Sequence, residues 1–104
     1  MGSESRFCYV QESDQIVNMV KKISGTTANS DGYSSEVPYP TGFTSSNCVV
    51  AGLSIKVYGN YRTGEALAQL GDRCFAEMTS TGVKVYTTGN QLNNCDWKAV
   101  LIKC

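Results

Sequence analysis

Alternating hydrophobic and polar positions run through the middle of the chain and predict β-strands. Between Cys48 and Tyr58 every second residue is apolar, and the residues between them include glycine, serine and lysine. A period of two is typical of a strand that buries one face. The residues predicted to share that buried face are Val49, Ala51, Leu53, Ile55 and Val57.

Two segments nearer the C-terminus also have strand patterns. Within 83–87, two valines and a threonine alternate with a lysine and a tyrosine. The Ser-Thr-Gly sequence at 80–82 lies just before them and predicts a tight hairpin with 74–79. The last segment, 97–104, is apolar on both faces, which predicts a central strand covered on both sides.

Segments rich in glycine, serine, threonine and asparagine separate these strands and have the composition of turns. The segments predicted to be loops are 24–31, 59–64 and 87–94. Pro38 and Pro40 restrict a strand at 33–39 to a sheet edge or exit, because proline has no N–H to donate. The regular spacing of short strands predicts an all-β fold, an antiparallel β-sandwich of jelly-roll-like type with room for one short helix.

Two segments depart from the strand pattern. Apolar residues at helical spacing occupy 16–23, and Gly25 follows where a helix would end, so the local pattern favours a helix over a strand. The segment 65–70 also has helix-forming residues, but Gly64 and Gly71 leave room for little more than one turn. Neither segment changes the all-β prediction.

Length and charge limit the number of domains and the classes of partner. A chain of 104 residues fits one core, so we expect 1–5 to be a flexible terminus that includes residues added in cloning, and 6–104 to form a single β-sandwich domain. Nine basic and nine acidic residues cancel, and no basic stripe for nucleic acid is present. Apolar runs are far shorter than the roughly 20 residues that span a bilayer. We expect neither nucleic-acid binding nor membrane insertion.

The residues that usually perform catalysis are scarce. The chain has no histidine, which excludes Ser-His-Asp and Cys-His arrangements, and its acidic residues show no spacing that pairs two across a cleft. Its five cysteines include no C-x-x-C pair, so we expect no metal and no cofactor. Reduced thiols that pack as small hydrophobes are the favoured interpretation of the cysteines. The domain is predicted to bind rather than to be an enzyme.

The best candidate binding loop is 58–63. It places two aromatic residues, Tyr58 and Tyr61, beside the amide of Asn60 and the guanidinium of Arg62. Sugars present flat C–H faces with a rim of hydroxyls, which suit a stacking ring beside planar donors and acceptors. The alternative is that the first tyrosine ends a core strand and the rest is a solvated hairpin.

A second candidate loop is 90–94, which offers side-chain amides without a ring. Asn90 and Asn93 are its candidate ligand-binding residues, and an ordinary polar loop is the alternative. Trp97, the only tryptophan, stands at the start of a strand. We expect it to be a core residue rather than a platform for a ligand.

The segment 31–50, DGYSSEVPYPTGFTSSNCVV, resembles the C-terminal tip domains of tail-fibre and other tail proteins from phages and prophages of Gram-positive bacteria. The resemblance lies in a Tyr-Pro-x-Gly-Phe turn at 39–43 and an Asn-Cys-Val-Val start of a core strand at 47–50. The last segment, WKAVLIK at 97–103, is similar to the closing strand of that family. A structural explanation covers the turn itself, in which Pro40 and the following glycine shape the chain and the phenylalanine covers the open end of the sandwich.

Membership of that family implies a receptor-binding domain at the tip of a homotrimeric fibre, which adsorbs to a glycan or protein on the host surface. The protein would be made in the bacterial cytoplasm and act outside the cell as part of the virion tail. A second hypothesis uses the same scaffold without a fibre, as a small phage-encoded intracellular protein that sequesters or inhibits a host factor. A stalk upstream of Arg6 would favour the first hypothesis, and a natural start near Arg6 the second.

Overall fold

The structure, a computed structural model, describes residues 19–70 and 73–103. In these ranges the chain forms eight β-strands and one short α-helix. The strands are β1 (Val20–Thr26), β2 (Gly32–Tyr33), β3 (Val37–Pro38), β4 (Cys48–Val57), β5 (Asn60–Thr63), β6 (Cys74–Met78), β7 (Gly82–Thr87) and β8 (Asp96–Lys103). Helix α1 (Gly64–Ala68) follows β5, and a 3₁₀ turn (Asn90–Leu92) precedes β8. The prediction of an all-β fold with two antiparallel sheets and one short helix is confirmed.

Sheet 1 has the strand order β1-β8-β4-β5, so the closing strand is central, as its sequence predicts. On one face of β8 the side chains of Trp97, Ala99 and Leu101 are buried. On the other face Lys98 is exposed and Val100 is half-buried, so the strand is fully covered on one side only. The expectation that both sides are covered is therefore wrong.

Sheet 2 is built around β7. Strands β2 and β3 pair with successive parts of one side of β7, and β6 pairs with the other side. The predicted hairpin between β6 and β7 is confirmed, and the Thr79 N–H closes its turn by donating to the Gly82 carbonyl at 2.8 Å. Pro38 lies on an edge strand, where its missing N–H leaves no gap in the ladder.

The hydrophobic core lies between the two sheets. Trp97, Leu101 and Ile55 from sheet 1 meet Val83 and Val85 from sheet 2, and all five side chains are fully buried. The prediction that the tryptophan belongs to the core is confirmed. Helix α1 contributes one buried leucine to the same cluster.

A β-bulge in β4 corrects the predicted face of that strand. The register with β8 shifts between Val50 and Gly52, which leaves Ala51 without a partner and exposed. A bulge adds one residue to the strand. The side chains before it therefore point to the opposite face from the one that simple alternation predicts. Val49 therefore shares the face of Ile102 instead of facing the core, while three residues after the bulge face inward as predicted. Those three are Leu53, Ile55 and Val57.

Three local predictions are wrong for the same reason. Strand β1 includes Val20 and Ile23, where helical spacing favours a helix, and Gly25 lies within that strand. The predicted loop at 59–64 contains β5, and only Tyr58 and Gly59 form the turn. Strand β1 pairs with β8, and β5 pairs with β4, so a partner distant in sequence overrides the local preference. The expected flexible 1–5 segment lies outside the described residues, as do Ile16, Cys8 and Cys104.

Candidate functional site

The hairpin between β4 and β5 holds the first candidate site. Val57 pairs with Asn60, so the loop has two residues, Tyr58 with φ of 53° and Gly59 with φ of 83°. Two positive φ angles define a type I′ turn, whose first position favours asparagine, aspartate or glycine. Tyr58 occupies that position with 73% of its surface exposed. The turn thus displays an aromatic ring at one end of the sandwich.

The other residues of this site divide between two faces of β5. Tyr61 is 39% exposed, and the ammonium of Lys98 lies 4.3 Å from the centre of its ring, in cation–π geometry. Asn60 and Arg62 are also exposed, but they pair with Val57 and Ile55. By strand alternation they therefore belong to the face of β5 opposite that of Tyr61. The structure brings the four predicted residues onto one hairpin without converging them on a single point.

The second candidate loop lies at the same end of sheet 1. Strand β4 ends at the hairpin and its antiparallel neighbour β8 begins after the loop, and the 3₁₀ turn contacts β4. Buried Thr27 holds this loop, because its hydroxyl donates to the Leu92 carbonyl at 2.5 Å and accepts from the Cys95 N–H at 2.9 Å. The loop is therefore fixed to the end of β1.

The two amides predicted in this loop have different surroundings. Asn90 is exposed at the start of the 3₁₀ turn, so it is accessible to a ligand. Asn93 is half-buried, and its Oδ1 atom is buried without a hydrogen-bond partner in the part of the chain that the structure describes. Asn90 is the better placed of the two for binding beside the hairpin.

An aromatic cluster on sheet 2 escaped the sequence analysis. Tyr33 and Phe75 lie directly across from Tyr86, one on each neighbouring strand. Strands two apart are separated by about 10 Å, yet the ring centres of Tyr33 and Phe75 are 6.2 Å apart, so both rings lean over Tyr86. They remain 43% and 47% exposed. Each ring stands alone in the sequence, and only the cross-strand register brings the three together.

A charged pair borders the aromatic cluster. The Lys84 ammonium lies 4.2 Å from the centre of the Tyr33 ring and 3.4 Å from the Glu77 carboxylate. The Tyr33 hydroxyl donates to the same carboxylate at 3.4 Å. These contacts tie the ring to the charged pair and leave this edge of the cluster electrically neutral.

A cleft of about 780 Å³ opens where β5 ends and α1 begins. Strands β1, β4 and β8 contribute to its lining, together with Thr63, Gly64, Leu67, Ala68 and Cys74. Most of its lining residues are aliphatic or glycine, and Lys22 and Lys98 are the charged ones among those described. A volume in this range is typical of sites for small molecules.

The turn that carries the family resemblance has a structural role. The Phe43 N–H donates to the Pro40 carbonyl at 2.9 Å, and Gly42, with φ of 86°, takes the position of a type II turn that requires a positive φ. The Asn47 side chain holds this turn by donating to the Gly42 carbonyl at 3.0 Å and accepting from the Thr44 N–H at 2.8 Å. Phe43 is buried in the core, which agrees with the structural explanation of the motif.

The described cysteines lie in or beside the core. Cys48 is buried, and Cys95 is half-buried with its thiol donating to the Gln91 carbonyl at 3.3 Å. Burial, followed by the negative charge of Asp96, raises the pKa of the Cys95 thiol. A raised pKa lowers the fraction of reactive thiolate at neutral pH. This thiol is suited to packing rather than to nucleophilic chemistry.

Within 19–70 and 73–103, no three cysteine, aspartate or glutamate side chains are grouped so that they could hold a metal ion. The helices in this part of the chain are too short or too polar to cross a membrane. Comparison with models of protein families, with curated proteins and with solved structures finds no match to this chain. The geometry of the described residues is therefore the basis for the functional proposals below.

Proposed function

We propose that this domain is a non-enzymatic recognition module that binds a glycan at the hairpin end of sheet 1, as a tail-fibre tip adhesin of a phage or prophage does at a host surface. The conformation of Tyr58 carries the proposal. A non-glycine residue in the left-handed region costs roughly 1–3 kcal/mol, and the exposed ring makes few contacts that could offset this cost. A role in recognition accounts for a tyrosine at a position that favours asparagine or glycine.

The chemistry around Tyr58 favours a sugar as ligand. The rings of Tyr58 and Tyr61 offer flat apolar faces, and Asn60 and Arg62 offer planar donors on the same hairpin, from the other face of β5. Asn90 lies on the neighbouring loop and adds a further amide. Stacking on C–H faces combined with hydrogen bonds to hydroxyls is the recognition mode that such a set supports.

The experiment is a glycan array probed with the whole chain, repeated with Tyr58→Asn. Asparagine removes the ring but suits the type I′ turn, so we expect binding to fall while the fold is retained. Phe75→Ala is the control, because it removes another exposed aromatic ring, from the opposite sheet, and should bind like the parent. Equal binding by Tyr58→Asn and the parent would refute the proposed site.

The adhesin proposal also includes a trimer that acts at the host surface as part of the virion tail. Only 17% of the residues are charged, and large aromatic side chains are exposed on both sheets, a composition that favours interfaces between copies. Linking several weak sugar sites raises avidity by roughly 10²–10⁴. Light scattering should give three times the mass of the chain. A monomer that binds no glycan and instead retains one host protein would favour the intracellular alternative.

A further inference from the structure

The cleft beside α1 is separate from the displayed tyrosine of the hairpin and has a distinct chemistry. Four of its polar residues form a row across all four strands of sheet 1. In this row Lys98 pairs with Ser24 on one side and with Ser54 on the other, and Ser54 pairs in turn with Thr63. Direct cross-strand partners point to the same side of a sheet. One ammonium and three hydroxyls are therefore aligned along the cleft.

The neighbouring row is largely apolar. Val100 lies between Lys22 and Gly52, and all three residues line the cleft. Leu67 and Ala68 of α1 add aliphatic surface beyond this row. The cleft thus has a hydrophilic row beside an apolar region, an arrangement suited to a molecule with one polar end and one apolar end.

The charge of the cleft is of one sign. Both charged residues that line it, Lys22 and Lys98, are basic, and none of its described lining residues is acidic. The salt bridge recorded for the described residues joins Lys84 to Glu77 on sheet 2. An anion in the cleft would meet two ammonium groups that no lining carboxylate neutralises.

Two glycines keep the apolar region open. Gly52 and Gly64 both line the cleft, and a Cβ atom built on either one would meet no atom within 4 Å. Neither has a positive φ angle, so the backbone does not require glycine at these positions. A side chain at Gly52 would occupy the cleft without straining the fold.

We infer that this cleft is a second binding site, which takes a small amphipathic anion: an aliphatic body with a carboxylate or phosphate at one end. The anionic group lies along the row of Lys98 and its hydroxyl neighbours, and Lys22 adds a second positive charge. The aliphatic body lies over Val100 and Gly52. This site adjoins the proposed glycan site, because the Lys98 ammonium also contacts the Tyr61 ring, but it takes a different ligand and does not include Tyr58.

The test is an NMR titration of the ¹⁵N-labelled whole chain with octanoate, octyl phosphate and octylammonium. Octanoate or octyl phosphate should shift the amide signals of Gly52 and Val100 in a saturable manner, and the stronger of the two identifies the preferred anionic group. Octylammonium has the same chain with the opposite charge and should give no saturable shift. Absence of saturable shifts with both anions, or equal binding of octylammonium, would overturn the inference.

Variants locate the site. Lys98→Gln should weaken binding by about tenfold, since it removes a charge-assisted contact, and Gly52→Val should weaken it at least as much by filling the cleft. Lys56→Gln is the matched control, because Lys56 is an exposed lysine of the same sheet that does not line the cleft. Full affinity in a folded Gly52→Val variant, verified by its melting temperature, would place the ligand elsewhere and refute the site.

Discussion

The indole ring of Trp97 lies directly against the backbone of Gly25 on the neighbouring strand. The two residues are cross-strand partners, and a Cβ atom on Gly25 would come within 2.8 Å of three atoms of the ring. Because Trp97 is fully buried in the core, its ring has no free space into which to move. Gly25 is therefore required for the packing of the tryptophan and does not end a helix.

Gly25→Ala should destabilise the domain by about 1–3 kcal/mol, the usual range for overpacking a core. Urea unfolding followed by Trp97 fluorescence measures the change. Gly52→Ala is the control, since a Cβ there meets no atom within 4 Å and the substitution should leave stability unchanged or slightly higher. Similar losses in both variants would contradict the proposed clash.

Tyr58→Asn should raise the free energy of unfolding by about 1 kcal/mol, because asparagine tolerates the left-handed conformation that tyrosine adopts here. Thermal and urea unfolding of both proteins measure the difference. Tyr61→Asn serves as the comparison and should lower stability, since Tyr61 lies in a strand and contacts Lys98. A loss of stability in Tyr58→Asn would show that its ring contributes to packing.

Leu101→Ala should cost about 2–5 kcal/mol, because it opens a cavity on the buried face of the central strand. Val100→Ala, one residue earlier on the half-buried face, should cost clearly less. Chemical denaturation of the two variants under identical conditions provides the measurement. A loss below about 1 kcal/mol for Leu101 would mean that the core tolerates the cavity by collapsing around it.

Thr27→Val should destabilise the domain by about 1–3 kcal/mol. Valine keeps the shape of threonine but leaves the Leu92 carbonyl and the Cys95 N–H without the hydroxyl that joins them. Hydrogen exchange should quicken in the 90–95 loop. The control is Thr26→Val, an exposed position on the same strand, where a change within about 0.5 kcal/mol is expected. Unchanged hydrogen exchange in Thr27→Val would show that the two hydrogen bonds of the Thr27 hydroxyl do not hold the loop in place.

Hydrogen bonds from Thr79, and to a smaller extent from Thr81, stabilise the charged form of Glu36 and hold its pKa below the usual 4.5. Because the folded pKa lies below the unfolded one, the stabilisation is present above pH 4.5 and is lost as the pH falls through the folded value. An NMR titration of the carboxyl group measures this pKa. Thr79→Val should return it towards 4.5, whereas a parent pKa at or above 4.5 would contradict the assignment.

The location of the hairpin site follows from sequence, but its geometry does not. Two tyrosines flanked by polar residues are visible at 58–63, and the alternation of β4 ends there. The pairing of Val57 with Asn60 sets the loop length, and that length places Tyr58 in the left-handed region. Pairing across a hairpin is a contact between strands, so the sequence predicts which residues are present and the register decides how they point.

The aromatic cluster and the cleft required the tertiary structure entirely. The three rings of the cluster, Tyr33, Phe75 and Tyr86, are far apart in the chain. The sequence around each ring does not show that the other two lie beside it on neighbouring strands. A shift of one residue in any strand would turn its ring to the opposite face. The row centred on Lys98 depends on the same register across four strands.

Local patterning by itself determined the strands β4, β7 and β8, the hairpin before β7 and the short helix α1, because alternation, turn residues and flanking glycines act within a few residues. The tertiary structure alone decided that β1 and β5 are strands, that Ala51 is a bulge and that Gly25 faces Trp97. Each of these features depends on a partner strand, whose hydrogen bonds and side chains outweigh the weak preference of a short segment. Sequence therefore determined the elements whose signals are local, and cross-strand pairing determined the rest.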